Sequence, residues 1–271
     1  MVTLLIVFAL VGVVAGLIAG LFGLGGGVVM VPAMIYTFGV LAFPDAVLTH
    51  LAVGTSLACI VVTAVTASWT HWQKKAIEVS LLLPLVPGVI VGAWLGGVLA
   101  ASLDGIELQF AFAVFLVFVG FTMLRKVAQD KATLPNRLGL SLSALAIGGF
   151  SSLFGVGGGS MTVPFLRFCG VVMARAVATS AALGLPIALS GAISYVVQGW
   201  NHPDLPAGSI GFVYLPAFLG MVICSAPASR LGATLAHKLP AEKLQRAFAV
   251  VLMVIAVQLF IGGMMAGSGA Q

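Results

Sequence analysis

The run AFAVFLVFVGF over residues 111–121 is apolar on every face, and runs like it recur along the whole chain. A transmembrane β-barrel would need apolar and polar residues to alternate, and these runs do not. Several reach the roughly 20 residues that carry a helix across a bilayer core. A soluble domain has about a quarter of its residues charged. Here 12 Lys/Arg and 7 Asp/Glu amount to 7% of 271 residues. The expected class is an all-α, polytopic membrane protein with the lipid bilayer as its surroundings. The net charge of +5 sits in short connectors, as the positive-inside bias requires, so nucleic acid is not an expected partner.

Apolar segments fall at 3–22, 28–43, 46–69, 77–100 and 106–124, then at 138–153, 158–173, 176–197, 208–228 and 244–266. The polar stretch RKVAQDKATLPNR separates the two sets. The expected domains are a first membrane repeat over 1–124, a cytoplasmic linker over 125–137 and a second membrane repeat over 138–271. The halves also match in sequence. LFGLGGGVVMVP at 21–32 answers LFGVGGGSMTVP at 153–164, an offset of 132 positions. AVLTHLAVG at 46–54 answers AVATSAALG at 176–184, and LQFAFAV at 108–114 answers LQRAFAV at 244–250. Such duplication is the mark of a transporter architecture.

Charge then sets the topology. Lys74 and Lys75, the linker residues Arg125, Lys126, Lys131 and Arg137, the pair Arg167 and Arg175, and the set Arg230, Lys238, Lys243 and Arg246 occupy alternate connectors. Connectors 101–107 and 198–207, and the one holding Asp45, carry no Lys or Arg. The basic connectors belong in the cytoplasm, which puts both termini outside it in a cell inner membrane. Five segments per half is an odd number, so the halves are expected to be two inverted five-segment repeats. Two arrangements fit: ten crossing segments, or eight spans plus two re-entrant hairpins tipped by the glycine strings. The second arises because segments 138–153 and 158–173, at about 24 Å each, fall short of a ~30 Å core. The first segment lacks the charged leader and cleavage site of a signal peptide and is read as a retained helix. Cys59, Cys169 and Cys224 have no spacing that suggests disulfides or a metal.

Glycine inside a helix costs about 1 kcal/mol relative to alanine, so Gly25, Gly26 and Gly27, and Gly157, Gly158 and Gly159, are expected to break their helices. A helix that restarts after such a break has free N–H groups and a partial positive charge, which binds an anion without a buried cation. Pro32 and Pro164 then shape the new helix, alongside Gly23 and Gly155. Thr49, His50, Thr55 and Ser56 in the first half, with Thr179 and Ser180 in the second, supply polar side chains for the same site. Intramembrane hydroxyls often only bond a carbonyl three or four residues back. An ionisable group at membrane depth, such as His50, is a candidate for function, and it leaves proton coupling open. The sequence has no P-loop, no metalloprotease helix and no dinucleotide fingerprint. Neither an enzyme nor a cofactor is expected, and a small anionic substrate is. A homodimer stays open.

The doubled LFGxGGGxxxVP string, followed in each half by AVxTxxAxG, resembles the TauE/SafE-type sulfite exporter family over residues 4–265. The resemblance implies a secondary carrier of the inner membrane that moves sulfite or an organosulfonate. It places Gly23, Gly25–Gly27 and Pro32 in the first family string, and Gly155, Gly157–Gly159 and Pro164 in the second. Thr49, Thr55, Thr179 and Ser180 fall in the polar strings. The expected function is anion export by alternating access, with a passive anion channel or a subunit of a multi-component transporter as alternatives.

Overall fold

A computed structural model describes residues 2–22, 26–124, 136–236 and 241–268. Its ten helices are α1 (Val2–Phe22), α2 (Gly27–Val40), α3 (Asp45–Gln73), α4 (Val79–Ala101), α5 (Gly105–Leu124), α6 (Arg137–Leu153), α7 (Gly159–Phe168), α8 (Met173–Gln198), α9 (Leu215–Ala236) and α10 (Ala241–Ser268). Each coincides with one apolar segment of the sequence. One departure from all-α is a two-residue antiparallel ladder, β1 (Ser209–Ile210) with β2 (Val213–Tyr214). It takes the start of the segment expected at 208–228, because Gly208 and Gly211 adopt positive φ and turn the chain before α9 begins.

The packing is that of a protein in lipid. Large apolar side chains point outward: Leu10, Val40, Leu138 and Ile223 are all more than 60% exposed. Among the described residues no Lys, Arg, Asp or Glu is buried. By length and composition α3, α4, α8 and residues 105–122 of α5 can each cross a bilayer. Trp69, Trp72 and Trp200 are exposed near helix ends, where indole rings anchor a protein at the membrane–water boundary. The chain is a multi-pass membrane protein.

With apolar surroundings, helices associate through close packing rather than through exclusion of water, so small residues mark the contacts. On α4, Gly88, Gly92 and Gly96 follow a four-residue spacing and meet α6. A Cβ on Gly92 would lie 2.1 Å from Leu145 O, and one on Gly96 would lie 2.2 Å from Gly149 O. On α1, Gly12 and Gly16 meet Met221 and Ser225 of α9 in the same way. The register shows that α6 runs parallel to α4, and α1 parallel to α9. Helix α10 runs antiparallel to α5, with Gln109 Nε2 donating to Leu259 O at 2.8 Å and Gly120 facing Ala249. The packing partners exchange when the halves are exchanged: α1 lies on α9 as α6 lies on α4, and α3 on α9 as α8 on α4.

The short helices double back. Phe8 of α1 touches Phe38 of α2, ring centroids 5.9 Å apart. Had the two helices continued in line, those rings would be well over 30 Å apart. Leu140, near the start of α6, and Leu166, near the end of α7, share one cluster with Leu81 and Leu85 of α4. Each glycine string is thus the tip of a hairpin. The two hairpins use four of the ten helices, and the other six are α3, α4, α5, α8, α9 and α10. Helix α7 has only 10 residues, about 15 Å at 1.5 Å each, because Gly158 caps its start and Gly170, at φ 81, ends the turn beyond it.

The connectors sort by charge. At one end Arg175 donates to Glu78 Oε2, Glu78 Oε1 accepts from Ser80, and the Glu78 N–H donates to Thr179 Oγ1 at 3.0 Å. The Arg175 and Ser80 hydrogen bonds hold the Glu78 carboxyl below its ordinary pKa. At the other end His50, Ala100 and Phe212 meet, and Gly105 packs on the Asp45 carbonyl. The basic linker residues 125–135 and Lys238 lie outside the described residues, as do the side chains of Arg137, Arg230 and Lys243.

Gly96→Leu is expected to separate α4 from α6 and cost at least 1–3 kcal/mol through overpacking, read as a loss of folded protein in detergent. Thr179→Val strands a Glu78 N–H and is expected to cost about 1–3 kcal/mol, whereas Arg175→Ala, at an exposed pair, should cost less than about 1 kcal/mol. Thermal unfolding of both variants checks the order. Because the Glu78 pKa is lowered on folding, its contribution is present above the ordinary carboxylate range and is lost as pH falls through the lowered value. The difference between Arg175→Ala and the parent chain should therefore vanish in acid.

Candidate functional site

The two glycine tips meet in the middle of the molecule, where α3 and α8 cross. Gly26 and Gly158, equivalent in the two strings, both take left-handed backbone, φ 74 and φ 78, and both cap their helices without a side chain. The Gly26 carbonyl accepts from Val29 and Met30 N–H, and the Gly158 carbonyl accepts from Met161 and Thr162 N–H. The N–H groups of Gly27 and Val28, and those of Gly159 and Ser160, have no backbone partner among the described residues. These are the orphan donors of a helix start.

Gly27 touches the opposite tip directly: a Cβ there would lie 2.2 Å from Gly155 O and 3.0 Å from Val156 Cα. From α3, Ser56 Oγ donates to the same Gly155 carbonyl at 3.0 Å. Ile60 packs on Gly157, and on α8 a Cβ at Gly184 would meet Gly157 O at 2.8 Å. The structure therefore gathers Gly26, Gly27, Ser56, Gly155, Gly157, Gly158 and Gly159 at one place. Gly23 and Gly25 lie outside the described residues. Pro32 and Pro164 sit inside α2 and α7, which continue through them; each lacks the N–H that would bond the first turn.

The other expected site residues are placed elsewhere. His50 is ten residues from Ile60 along α3, a rise of about 15 Å. It is buried, its Nε2 lies 3.0 Å from Ala100 O, and its ring stacks on Phe212 with centroids 5.0 Å apart. This geometry makes Nε2 the donor and leaves Nδ1 without a partner. Thr49 is buried beside it in sequence. Thr55 Oγ1 accepts the Tyr214 N–H at 2.9 Å and so holds β2 on α3. Thr179 is engaged with Glu78, and Ser180 is buried with a free hydroxyl. Cys59, Cys169 and Cys224 are free thiols.

Four buried hydroxyls near the second tip escaped the sequence reading: Ser151 and Ser152 at the end of α6, and Ser160 and Thr162 at the start of α7. The signal was available in the strings themselves, where SMT of the second stands against VVM of the first. Averaging the copies into one motif hid the difference.

A family model described as "Sulfite exporter TauE/SafE" matches residues 8–259. The chain is 35% identical over 263 residues to a "Probable membrane transporter protein" of Haemophilus influenzae, covering 96% of this chain and all of that protein. It is 28% identical to a "Probable membrane transporter protein" of Methanocaldococcus jannaschii, across 93% of this chain and 94% of the relative. It is 24% identical to the "Probable membrane transporter protein YunE" of Bacillus subtilis, across 95% and 98%. With all but short ends of the chain matched, this membrane protein belongs to the TauE/SafE sulfite exporter family.

Proposed function

We propose that the protein is a secondary transporter that exports a small anion, held between the glycine tips of two re-entrant hairpins. The observation that carries this reading is the meeting of two helix starts, α2 and α7, each capped by a left-handed glycine and neither by a side chain. Two positive helix ends converge where no charged side chain is buried among the described residues. An anion gains from both dipoles and from free N–H donors there. A permanent buried cation would bind it too tightly to release. Family membership and the transporter names of the relatives support the class of function, and the family description favours sulfite or an organosulfonate as substrate.

The mechanism follows from the two hairpins. α1 and α2 hang from the end that holds Asp45 and Phe212, and α6 and α7 from the end that holds Glu78 and Arg175. The halves are read as inverted repeats, 1–124 and 138–271, joined by the 125–137 linker. Inversion makes two states mirror each other: each hairpin in turn leaves its neighbours and opens the tips to its own side. The basic end faces the cytoplasm, and both termini lie outside it. Aromatic contacts of Phe8, Phe38, Phe43 and Tyr214 close the outer end here, while the Glu78–Arg175 pair spans the inner one.

Gly26→Leu and Gly158→Leu each force a branched side chain onto left-handed backbone, at roughly 1–2 kcal/mol of strain, and fill the tip. Uptake of labelled sulfite into proteoliposomes should fall to background in both variants while each still reaches the membrane. Wild-type flux in both would sink the site. Saturation and stimulation by counter-anion are expected for the parent chain; conduction without saturation would make it a channel.

A further inference from the structure

Several helix hydroxyls elsewhere in the protein bond back to their own backbone. Thr37 donates to Ala33 O, Thr63 to Ile60 O, Thr70 to Thr66 O and Thr122 to Val119 O. Around the second glycine tip this habit fails. Ser151, Ser160 and Thr162 are 0%, 7% and 0% exposed, and none of their oxygens has a hydrogen-bond partner. A buried hydroxyl left unpaired costs about 1–3 kcal/mol. Two of them border Gly158: a Cβ built on that glycine would lie 3.5 Å from Thr162 Oγ1 and 3.9 Å from Ser151 Oγ. The N–H groups of Gly159 and Ser160, which have no backbone partner among the described residues, open the same helix.

We infer that Ser151, Ser160 and Thr162, with the amides that begin α7, form the subsite that holds the oxygen atoms of the transported anion. The first tip has no equivalent, since Ala19, Val28 and Met30 occupy the matching positions at the offset of 132. The site is therefore asymmetric. The hairpin of α6 and α7 carries the specific contacts, and the hairpin of α1 and α2 supplies its helix end and an apolar wall. Three rotatable hydroxyls and two amides suit an anion with several oxygen acceptors, such as a sulfite or sulfonate head, over a halide. Ile187 Cδ1 from α8, 2.6 Å from the Gly158 Cβ position, covers the subsite and must move when it fills.

This inference rests on the transport reading above, and one experiment separates the two. The purified full chain is reconstituted, and saturable sulfite uptake is measured for the parent, Thr162→Val, Ser151→Ala and Thr162→Ser, with the sulfite-dependent rise in Tm as a second readout. Thr162→Val and Ser151→Ala should each raise the sulfite KM about tenfold or more, as expected for a lost hydrogen bond to a charged ligand, and shrink the Tm response. Thr162→Ser, which keeps the hydroxyl, should stay within about twofold of the parent. If the parent transports sulfite and both hydroxyl-deleting variants keep its KM, the subsite is wrong and the transport reading stands. Should Thr162→Val fail to fold, Ser151→Ala alone decides. A parent chain that moves neither sulfite nor any other oxyanion overturns both.

Discussion

Backbone touches backbone where Gly27 of one hairpin meets Gly155 of the other, and the rest of the architecture is arranged around that contact. Any Cβ at Gly27 would collide with the opposite carbonyl. Hydrocarbon offers no hydrogen bonds, so bent backbone at membrane depth survives only when it is enclosed by protein. Here α3 and α8 enclose it: Ser56 bonds the Gly155 carbonyl, Ile60 and Ile187 cover the second tip, and Gly184 lets α8 approach Gly157. The outer helices then fasten the hairpins in place, α9 against α1 and α4 against α6, through glycine-lined seams.

That arrangement separates two tasks. The long helices carry specific polar clamps: His50 on Ala100, Thr55 on Tyr214, and Thr179 on Glu78. These hold connectors in position. The centre carries few fixed side-chain bonds, and its free donors are helix N–H groups and unpaired hydroxyls.

Much of this was legible in the chain. The ten helices follow the ten apolar segments, and a glycine cap starts both α2 and α7, as the cost of glycine inside a helix implies. Among the described residues, the connector after Lys74 and Lys75 and the start of α8 at Arg175 share one end, as charge implied. Side-chain roles were not legible. His50, Thr55 and Thr179 are polar residues at membrane depth whichever partner they find, and their partners Ala100, Tyr214 and Glu78 are distant in sequence. Ser151, Ser160 and Thr162 looked like ordinary helix hydroxyls until their lack of a partner was visible.

Sequence alone determined the membrane class and the ten apolar segments, because hydropathy acts locally and needs no partner. That each break folds the chain back on itself depends on tertiary contacts such as Phe8 on Phe38, thirty positions apart. The meeting of the two tips depends on contacts across about a hundred positions, such as Ser56 with Gly155. Only tertiary packing brings those atoms together, and the site exists only once it has.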